Sequence, residues 1–240
     1  MRRLTVRHAV VTALNLNGKV PVGRNGVNTG DNGFFRGTMM AKALVIFLHG
    51  VGSNGDDLAP IGDHWATLLP DVAFASPDAP DRFDAGFGYQ WFSLDGVTPE
   101  NRPARVQAAR AAFDATLSDI MTRHGFAGRW QEVVLVGFSQ GSIMALDALA
   151  SGRYPLAGVV AFSGRLAFDG ALTPQPYLPA MLIHGQSDEV IPWQESESAA
   201  ARLKQAAVPV ETLFEPATGH TISAQGAMHA AAFIAQCLQD

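Results

Sequence analysis

The segment 135–144, LVGFSQGSIM, decides the fold class of this chain. Its serine, Ser139, has a glycine two positions away on each side, at Gly137 and Gly141. An apolar run precedes the serine and a helix-like stretch follows it. The pattern G-x-S-x-G is typical of a strained turn from a strand into a helix, where a Cβ on either flank would clash. The segment therefore predicts a nucleophilic serine exposed above a sheet, with an ordinary glycine turn as the alternative.

Short apolar runs alternate with amphipathic stretches along most of the chain. The runs are ALVIFL (43–48), VAFAS (72–76), EVVLVGF (132–138), AGVVAFSG (157–164), AMLIHG (180–185) and VETLFE (210–215). Runs that are apolar on both faces, separated by helices, are typical of a mostly parallel sheet with helices on both sides. The predicted fold class is therefore α/β, with functional residues where the strands end.

The 240 residues show no repeat and no second composition regime, so we predict a single domain over 1–240. Residues 1–40 are expected to be an N-terminal extension of it. Within the extension, alternating apolar residues over 4–10 indicate a strand, and Asn17–Gly18 could turn a hairpin. The Asn- and Gly-rich stretch that follows indicates a loop.

Composition excludes several function classes. A net charge of −5 argues against a nucleic-acid surface, and no apolar run approaches the length of a membrane span. The apolar run at 9–14 is too short for a signal peptide, so we expect a cytoplasmic protein, either a monomer or a homodimer. The single cysteine allows no internal disulfide. No histidine or cysteine spacing indicates a metal site.

A nucleophilic serine needs a base at neutral pH, and His220 is the best candidate among seven histidines. It lies in the loop segment TGHTIS, between the last predicted strand and the last predicted helix. The other histidines fit structural or surface positions. His49 and His184 in particular end apolar runs and precede a glycine, which favours a structural role at the strand–loop junction.

The base needs a carboxylate that orients it, and Asp188 follows the fifth apolar run in the segment HGQSDEVIP. The resulting chain order of serine, acid and histidine matches the order in enzymes that carry the G-x-S-x-G turn. Glu189 beside it and Asp169 after the preceding run are the alternative acids.

Backbone N–H groups must stabilise the oxyanion that forms during acyl transfer. The residue after the nucleophile, Gln140, supplies one such group. The glycine-rich segment FLHGVGSNGDDL after the first run predicts the second at Val51, because its glycines allow close approach of the backbone. A phosphate loop is the alternative, but the segment lacks the Walker spacing and lysine.

Aromatic side chains collect in the long loop 81–103. We predict that Trp91 and Phe92 line an acyl pocket, with Trp193, just past the proposed acid, as its opposite wall. The alternative for the aromatic group in this loop is a small hydrophobic cluster without a binding role.

Taken together, several segments resemble the phospholipase/carboxylesterase family of α/β-hydrolases, which includes the acyl-protein thioesterases. The resemblance covers roughly 43–240 and rests on FLHGVGSNGDDL, WFSL, GFSQGS, LAGVVAFSG, HGQSDEVIP and TGHTIS. It implies the α/β-hydrolase fold and hydrolysis of carboxylic esters, or of thioesters in some members, without a cofactor. Two features depart from the family pattern: Ser142 stands where many relatives have glycine, and the Asn- and Gly-rich segment before Met39 is not typical of the family.

The resemblance carries the triad over to Ser139, Asp188 and His220, and the oxyanion donors to Val51 and Gln140. The expected function is that of a serine carboxylesterase, which hydrolyses small short- to medium-chain esters through an acyl-enzyme. An acyl-protein thioesterase or lysophospholipase-like hydrolase is one alternative. A non-catalytic binding protein with the same fold is the other.

Overall fold

The computed structural model describes residues 41–239, and their central element is a six-stranded parallel sheet. The elements in chain order are β1 (Ala43–Leu48), α1 (Ala59–Trp65), β2 (Val72–Ala75), β3 (Asp81–Arg82), β4 (Tyr89–Gln90), α2 (Arg102–Arg123), β5 (Val133–Phe138), α3 (Gln140–Ala150), β6 (Gly158–Phe162), β7 (Ala180–Gly185), α4 (Gln194–Gln205), β8 (Val210–Glu215) and α5 (Ala224–Cys237). The sheet order is β2-β1-β5-β6-β7-β8, and every pairing in it is parallel. Strands β3 and β4 form a separate antiparallel ribbon.

Both faces of the sheet are buried, because alternate residues of each strand point into different clusters. Leu44 and Ile46 of β1 belong to the cluster that α2, α3 and α4 cover, whereas Val45 and Phe47 belong to the cluster under α1 and α5. This is why the runs of the central strands β1, β5, β6 and β7 are almost entirely apolar and do not alternate, whereas the edge strand β8 exposes Glu211 and Thr212.

The structure confirms the predicted α/β fold with a parallel sheet and helices on both faces. It adds the short β3–β4 ribbon inside the loop 81–103, which no apolar run had indicated. The strand predicted over 4–10 and the turn at Asn17–Gly18 lie outside the described residues. None of the helices within 41–239 combines the length and the apolar character that crossing a bilayer requires.

The strands and helices described within 41–239 already include all the candidate catalytic residues, which leads to a prediction about the N-terminal segment. We expect a chain that begins at Met40 to fold and to show the ester hydrolysis that the family resemblance implies. Circular dichroism, thermal unfolding and ester turnover per folded molecule would be compared with those of the full chain. An insoluble or inactive product would show that residues 1–39 belong to the core.

Candidate active site

Ser139 occupies a strained turn between β5 and α3. Its backbone angles, φ 53° and ψ −114°, lie outside the regions that L-residues prefer. The turn is held by a hydrogen bond from the Ser139 N–H to the Phe162 carbonyl at the end of the neighbouring strand, 2.9 Å long. Strain of this kind persists only where the surrounding structure enforces it, and it is common at functional sites.

The two glycines of the motif are required by close approach of the backbone. A Cβ on Gly141 would lie 2.0 Å from the Leu48 carbonyl oxygen, at the end of β1. A Cβ on Gly137 would lie 2.5 Å from the backbone of Ser142. The helix after the nucleophile can therefore start directly against the sheet. A side chain in place of either glycine would clash, as the motif predicts.

Ser139, His220 and Asp188 form one hydrogen-bonded chain. The Ser139 Oγ lies 3.0 Å from His220 Nε2, and His220 Nδ1 lies 2.6 Å from Asp188 Oδ2. Because an ionised carboxylate can only accept, Nδ1 carries the proton and Nε2 is free to accept the serine proton. The structure thus brings together the three side chains that the sequence nominated from three separate loops.

The Asp188 carboxylate is buried and receives further hydrogen bonds. Its Oδ1 accepts from the backbone N–H groups of Val190 (2.8 Å) and Ile191 (2.9 Å). Its Oδ2 also lies 3.1 Å from His184 Nε2. Burial by itself would raise the pKa of Asp188, but the hydrogen bonds from His184, His220 and Ile191 outweigh it and hold this pKa well below its usual range. Asp188 is therefore ionised wherever the protein is folded at neutral pH.

The predicted oxyanion loop lies directly against the nucleophile. A Cβ on Gly50 would be 3.3 Å from Ser139 Cβ, so the residue before Val51 lies against the nucleophile. The N–H of Val51 makes no hydrogen bond within residues 41–239. Gln140 is the first residue of α3, where backbone N–H groups have no partner inside the helix. Both N–H groups are thus available to an oxyanion.

His49 holds the oxyanion loop in place from below. Its Nδ1 lies 2.7 Å from the Gly50 carbonyl, and its Nε2 lies 2.9 Å from the backbone N–H of Ala79. Burial is the main reason why the pKa of His49 is lowered, so the ring is neutral, with its proton on Nδ1. Its predicted structural role at the strand end agrees with these contacts.

The predicted pocket residues Trp91 and Phe92 lie in the core and not at a surface. Trp91 is 1% exposed, packs edge-on against Phe113 and donates from Nε1 to the His49 carbonyl. The Gln140 side chain clamps the same segment: its Oε1 accepts from the Trp91 N–H and its Nε2 donates to the Phe92 carbonyl. The indole therefore has almost no surface to offer a substrate, and the position does not support the predicted pocket role.

Trp193 and the alternative acids also lie away from the triad contacts. Trp193 packs against Phe214 of β8. This contact does not support its predicted role as a wall of the acyl pocket, which stays a prediction. Asp169 lies beside Arg110 and Asp147, in a shallow cavity outside α3. Glu189 is exposed. Neither alternative acid has a hydrogen bond to His220 among the described residues, whereas Asp188 does.

Sequence reasoning missed two features of this site. His184 was expected to be purely structural, yet it contacts the Asp188 carboxylate, and its only sequence signal is its position four residues earlier. The second feature is the Phe83 ring beside the oxyanion loop: a Cβ on Gly52 would lie 3.2 Å from this ring and 3.8 Å from the backbone carbonyl of Phe87. Phe87 is 87% exposed.

Comparison with known proteins identifies the family of this chain. The family model described as Phospholipase/Carboxylesterase matches residues 35–238. The chain belongs to the phospholipase/carboxylesterase family. Membership confirms both the predicted resemblance and the predicted enzyme class, a carboxylic ester hydrolase.

Individual members of the family are similar over most of the chain. The chain is 33% identical to Esterase YpfH of Escherichia coli (strain K12) over 76% of its length and 77% of that protein's. It is 28% identical to Acyl-protein thioesterase 1 of Neurospora crassa, over 75% of the chain and 80% of the relative. The crystal structure of esterase PE8 superposes with a TM-score of 0.73 and 34% identity, covering 82% of this chain and 93% of that one.

For this member of the family, we predict that Asp188→Asn lowers kcat by roughly 10⁴-fold with a smaller effect on KM. The amide favours the wrong imidazole tautomer of His220, so Nε2 no longer accepts the serine proton. Steady-state kinetics on a soluble ester would measure the loss. Asp169→Asn and Glu189→Gln are the matched controls and should stay near wild type. A larger loss at Asp169 would move the acid to the loop after β6.

Proposed function

We propose that the chain is a serine carboxylesterase that hydrolyses short- to medium-chain esters through an acyl-enzyme, with Ser139 as nucleophile. The observation that carries the proposal is the chain of contacts from Ser139 Oγ to His220 Nε2 (3.0 Å) and from His220 Nδ1 to Asp188 (2.6 Å). Geometry of this kind allows the serine to lose its proton as it attacks.

In the acylation half-reaction, Ser139 Oγ attacks the ester carbonyl carbon while its proton passes to His220 Nε2. The resulting oxyanion accepts hydrogen bonds from the backbone N–H groups of Val51 and Gln140. Each of these bonds stabilises the transition state by roughly 3 kcal/mol. Asp188 stabilises the imidazolium across its hydrogen bond to Nδ1. When the intermediate collapses, the bond to the alcohol oxygen breaks and His220 donates its proton to the leaving alcohol.

Deacylation repeats these steps with water. A water molecule attacks the acyl carbon while one of its protons passes to His220 Nε2. The new oxyanion again accepts hydrogen bonds from the N–H groups of Val51 and Gln140. Collapse releases the carboxylic acid and returns the proton from His220 to Ser139 Oγ. Every proton and bond is accounted for by the ester, one water molecule and these side chains.

The acyl-length preference follows from the aromatic wall next to Val51. The segment 83–88 leans on the oxyanion loop, since a Cβ on Gly88 would lie 2.4 Å from the Gly52 carbonyl oxygen. Backbone hydrogen bonds between Gly52, Ser53 and Tyr89 fasten the two loops together. We expect an acyl chain that leaves Ser139 on this side to meet the Phe83 ring and the exposed Phe87 side chain over a few methylenes and then to reach solvent.

Thioester hydrolysis is the second candidate, since the N. crassa relative is named an acyl-protein thioesterase. The same nucleophile and oxyanion donors would serve a thioester. A comparison of kcat/KM for matched oxygen esters and thioesters of the same acyl length would separate the two. An advantage of tenfold or more for the thioester would favour the thioesterase.

The nucleophile is tested by Ser139→Ala, which we expect to reduce kcat by roughly 10⁴-fold or more while the fold is retained. The variant should also lose labelling by a fluorophosphonate probe, which reacts only with an activated serine. Ser118→Ala, on the exposed face of α2, is the control for loss of a hydroxyl. An unlabelled wild-type protein would favour the non-catalytic binding protein.

The acyl preference is tested with p-nitrophenyl esters of increasing length, below their aggregation limits. We expect kcat/KM to rise from acetyl to butyryl or hexanoyl, with each buried methylene contributing up to about 0.8 kcal/mol, and then to fall. Phe87→Ala should flatten the rise. Tyr177 is an exposed aromatic residue just before β7, at the amino end of the strand and not at the carboxyl end where the triad lies. Tyr177→Ala should leave the rise in kcat/KM intact. A maximum at palmitoyl would contradict the proposed wall.

A further inference from the structure

We propose that His184, fixed by Ser196, is a positioning residue that holds the Asp188 carboxylate in line with His220. The inference rests on the proposed triad and goes beyond it, since nothing in the triad itself requires a second histidine on the acid.

The proton on the His184 ring is fixed by its neighbours. Its Nε2 lies 3.1 Å from Asp188 Oδ2 and 2.9 Å from the Ile191 carbonyl oxygen, and both of these can only accept. Nε2 must therefore carry a proton. Its Nδ1 lies 2.7 Å from Ser196 Oγ, whose other acceptor, the Gly164 carbonyl, is farther away at 3.3 Å. The single hydroxyl proton goes to the nearer Nδ1, which leaves the ring neutral, with its Nε2–H shared between the Ile191 carbonyl and Asp188 Oδ2.

This Nε2–H completes the bonding of the carboxylate. Within the described residues, Oδ1 accepts from the N–H groups of Val190 and Ile191, and Oδ2 accepts from His220 and His184. Each carboxylate oxygen thus has two donors, which leaves the group no freedom to rotate. The contact with His184 also withdraws some of the negative charge that faces His220.

The contact is buried and connects three elements. The side chains of His184 and Asp188 have no exposed surface. Ser196 comes from the first turns of α4, and Gly164 follows β6. Gly164 in turn packs against the elbow, where a Cβ on it would lie 1.7 Å from Ser142 Oγ. The acid loop and α4 are therefore joined through His184 and Ser196, and they lie close to the segment after β6 that packs on the nucleophile turn.

The other charged groups near Asp188 are not altered by a substitution at His184. Arg165, which follows Gly164, pairs with Glu195 of α4 at 3.2 Å and also acts electrostatically on Asp188. Neither of them contacts His184. A change in the pH dependence of a His184 variant therefore reports the lost Nε2–H and not a rearranged ion pair.

The test compares two substitutions of similar volume, His184→Gln and His184→Leu. A glutamine amide can donate from the position of Nε2, whereas leucine cannot. We expect His184→Leu to lower kcat by about tenfold, with KM within about threefold, because a misaligned acid affects the chemical step and not binding. We expect His184→Gln to recover most of the loss.

The pH dependence separates positioning from simple packing. Without the Nε2–H, more of the Asp188 charge acts on His220 and favours the imidazolium. The acid limb of the kcat/KM profile should therefore move to higher pH in His184→Leu, and the midpoint of the His220 ring resonances in NMR should move in the same direction. Ser196→Ala, which removes only the hydroxyl that fixes the ring, should give a smaller shift of the same sign. His229→Leu, on the exposed face of α5, is the control and should change neither.

Active-site titration with a fluorophosphonate expresses each rate per folded, labelled molecule. Equal losses in His184→Gln and His184→Leu, or an unmoved acid limb, would overturn the proposal. If His184→Leu does not fold, Ser196→Ala decides, and an unchanged profile in that variant would also overturn it. If the wild-type protein shows neither labelling nor ester turnover, the proposed function fails instead. The NMR midpoint of His220 then still tests the contact, and a midpoint that does not respond to Ser196→Ala would overturn the positioning role.

Discussion

A buried negative charge on Asp188 is the constraint around which the rest of the site is organised. An unpaired charge in a protein interior costs several kcal/mol, and removal of one partner of a buried pair typically costs roughly 3–5 kcal/mol. The folded state is therefore stable only if hydrogen-bond donors reach both oxygens of this carboxylate. Those donors come from its own turn, from the end of β7 and from the loop that follows β8. The same contacts that satisfy the charge also orient His220 toward Ser139.

The second constraint is the close approach of backbone at the nucleophile turn. Gly141 leaves no room for a side chain against the Leu48 carbonyl, so the end of β1 and the start of α3 are in direct contact. This contact brings the loop that carries Val51 close to the turn that carries Ser139 and Gln140. The neutral ring of His49 and the amide of Gln140 then fasten the loops on either side.

Parallel strand order explains why residues so distant in sequence share one site. β1, β5, β6 and β7 are neighbours in the sheet, and β8 follows β7. Their carboxyl ends lie at one edge, so the loops carrying Val51, Ser139, Asp188 and His220 converge without any long connection crossing the sheet. The loop 81–103 packs against the oxyanion loop through its ribbon and is bonded to Gln140 through Trp91 and Phe92.

Local patterns in the sequence were sufficient for the fold class and for the three triad candidates. Continuous apolar runs report burial on both faces, and G-x-S-x-G reports a turn whose steric demands are local. The order of Ser139, Asp188 and His220 follows from which run each one ends. These features depend on neighbours in the chain, so their spacing is visible without a structure.

Only the tertiary structure decided which side chains face the site. Trp91 is held by Gln140, a residue 49 positions away, and this contact draws the indole into the core and leaves Phe83 and Phe87 beside the oxyanion loop. His184 and Asp188 are close in sequence, but their contact depends on the turn after β7, and the tautomer of His184 depends on Ser196 from another element. The sequence by itself determined the sheet, the elbow and the chemical types at the strand ends. The packing of one loop on another decided orientation, because hydrogen bonds and ring contacts between distant segments have no periodicity that a single sequence can show.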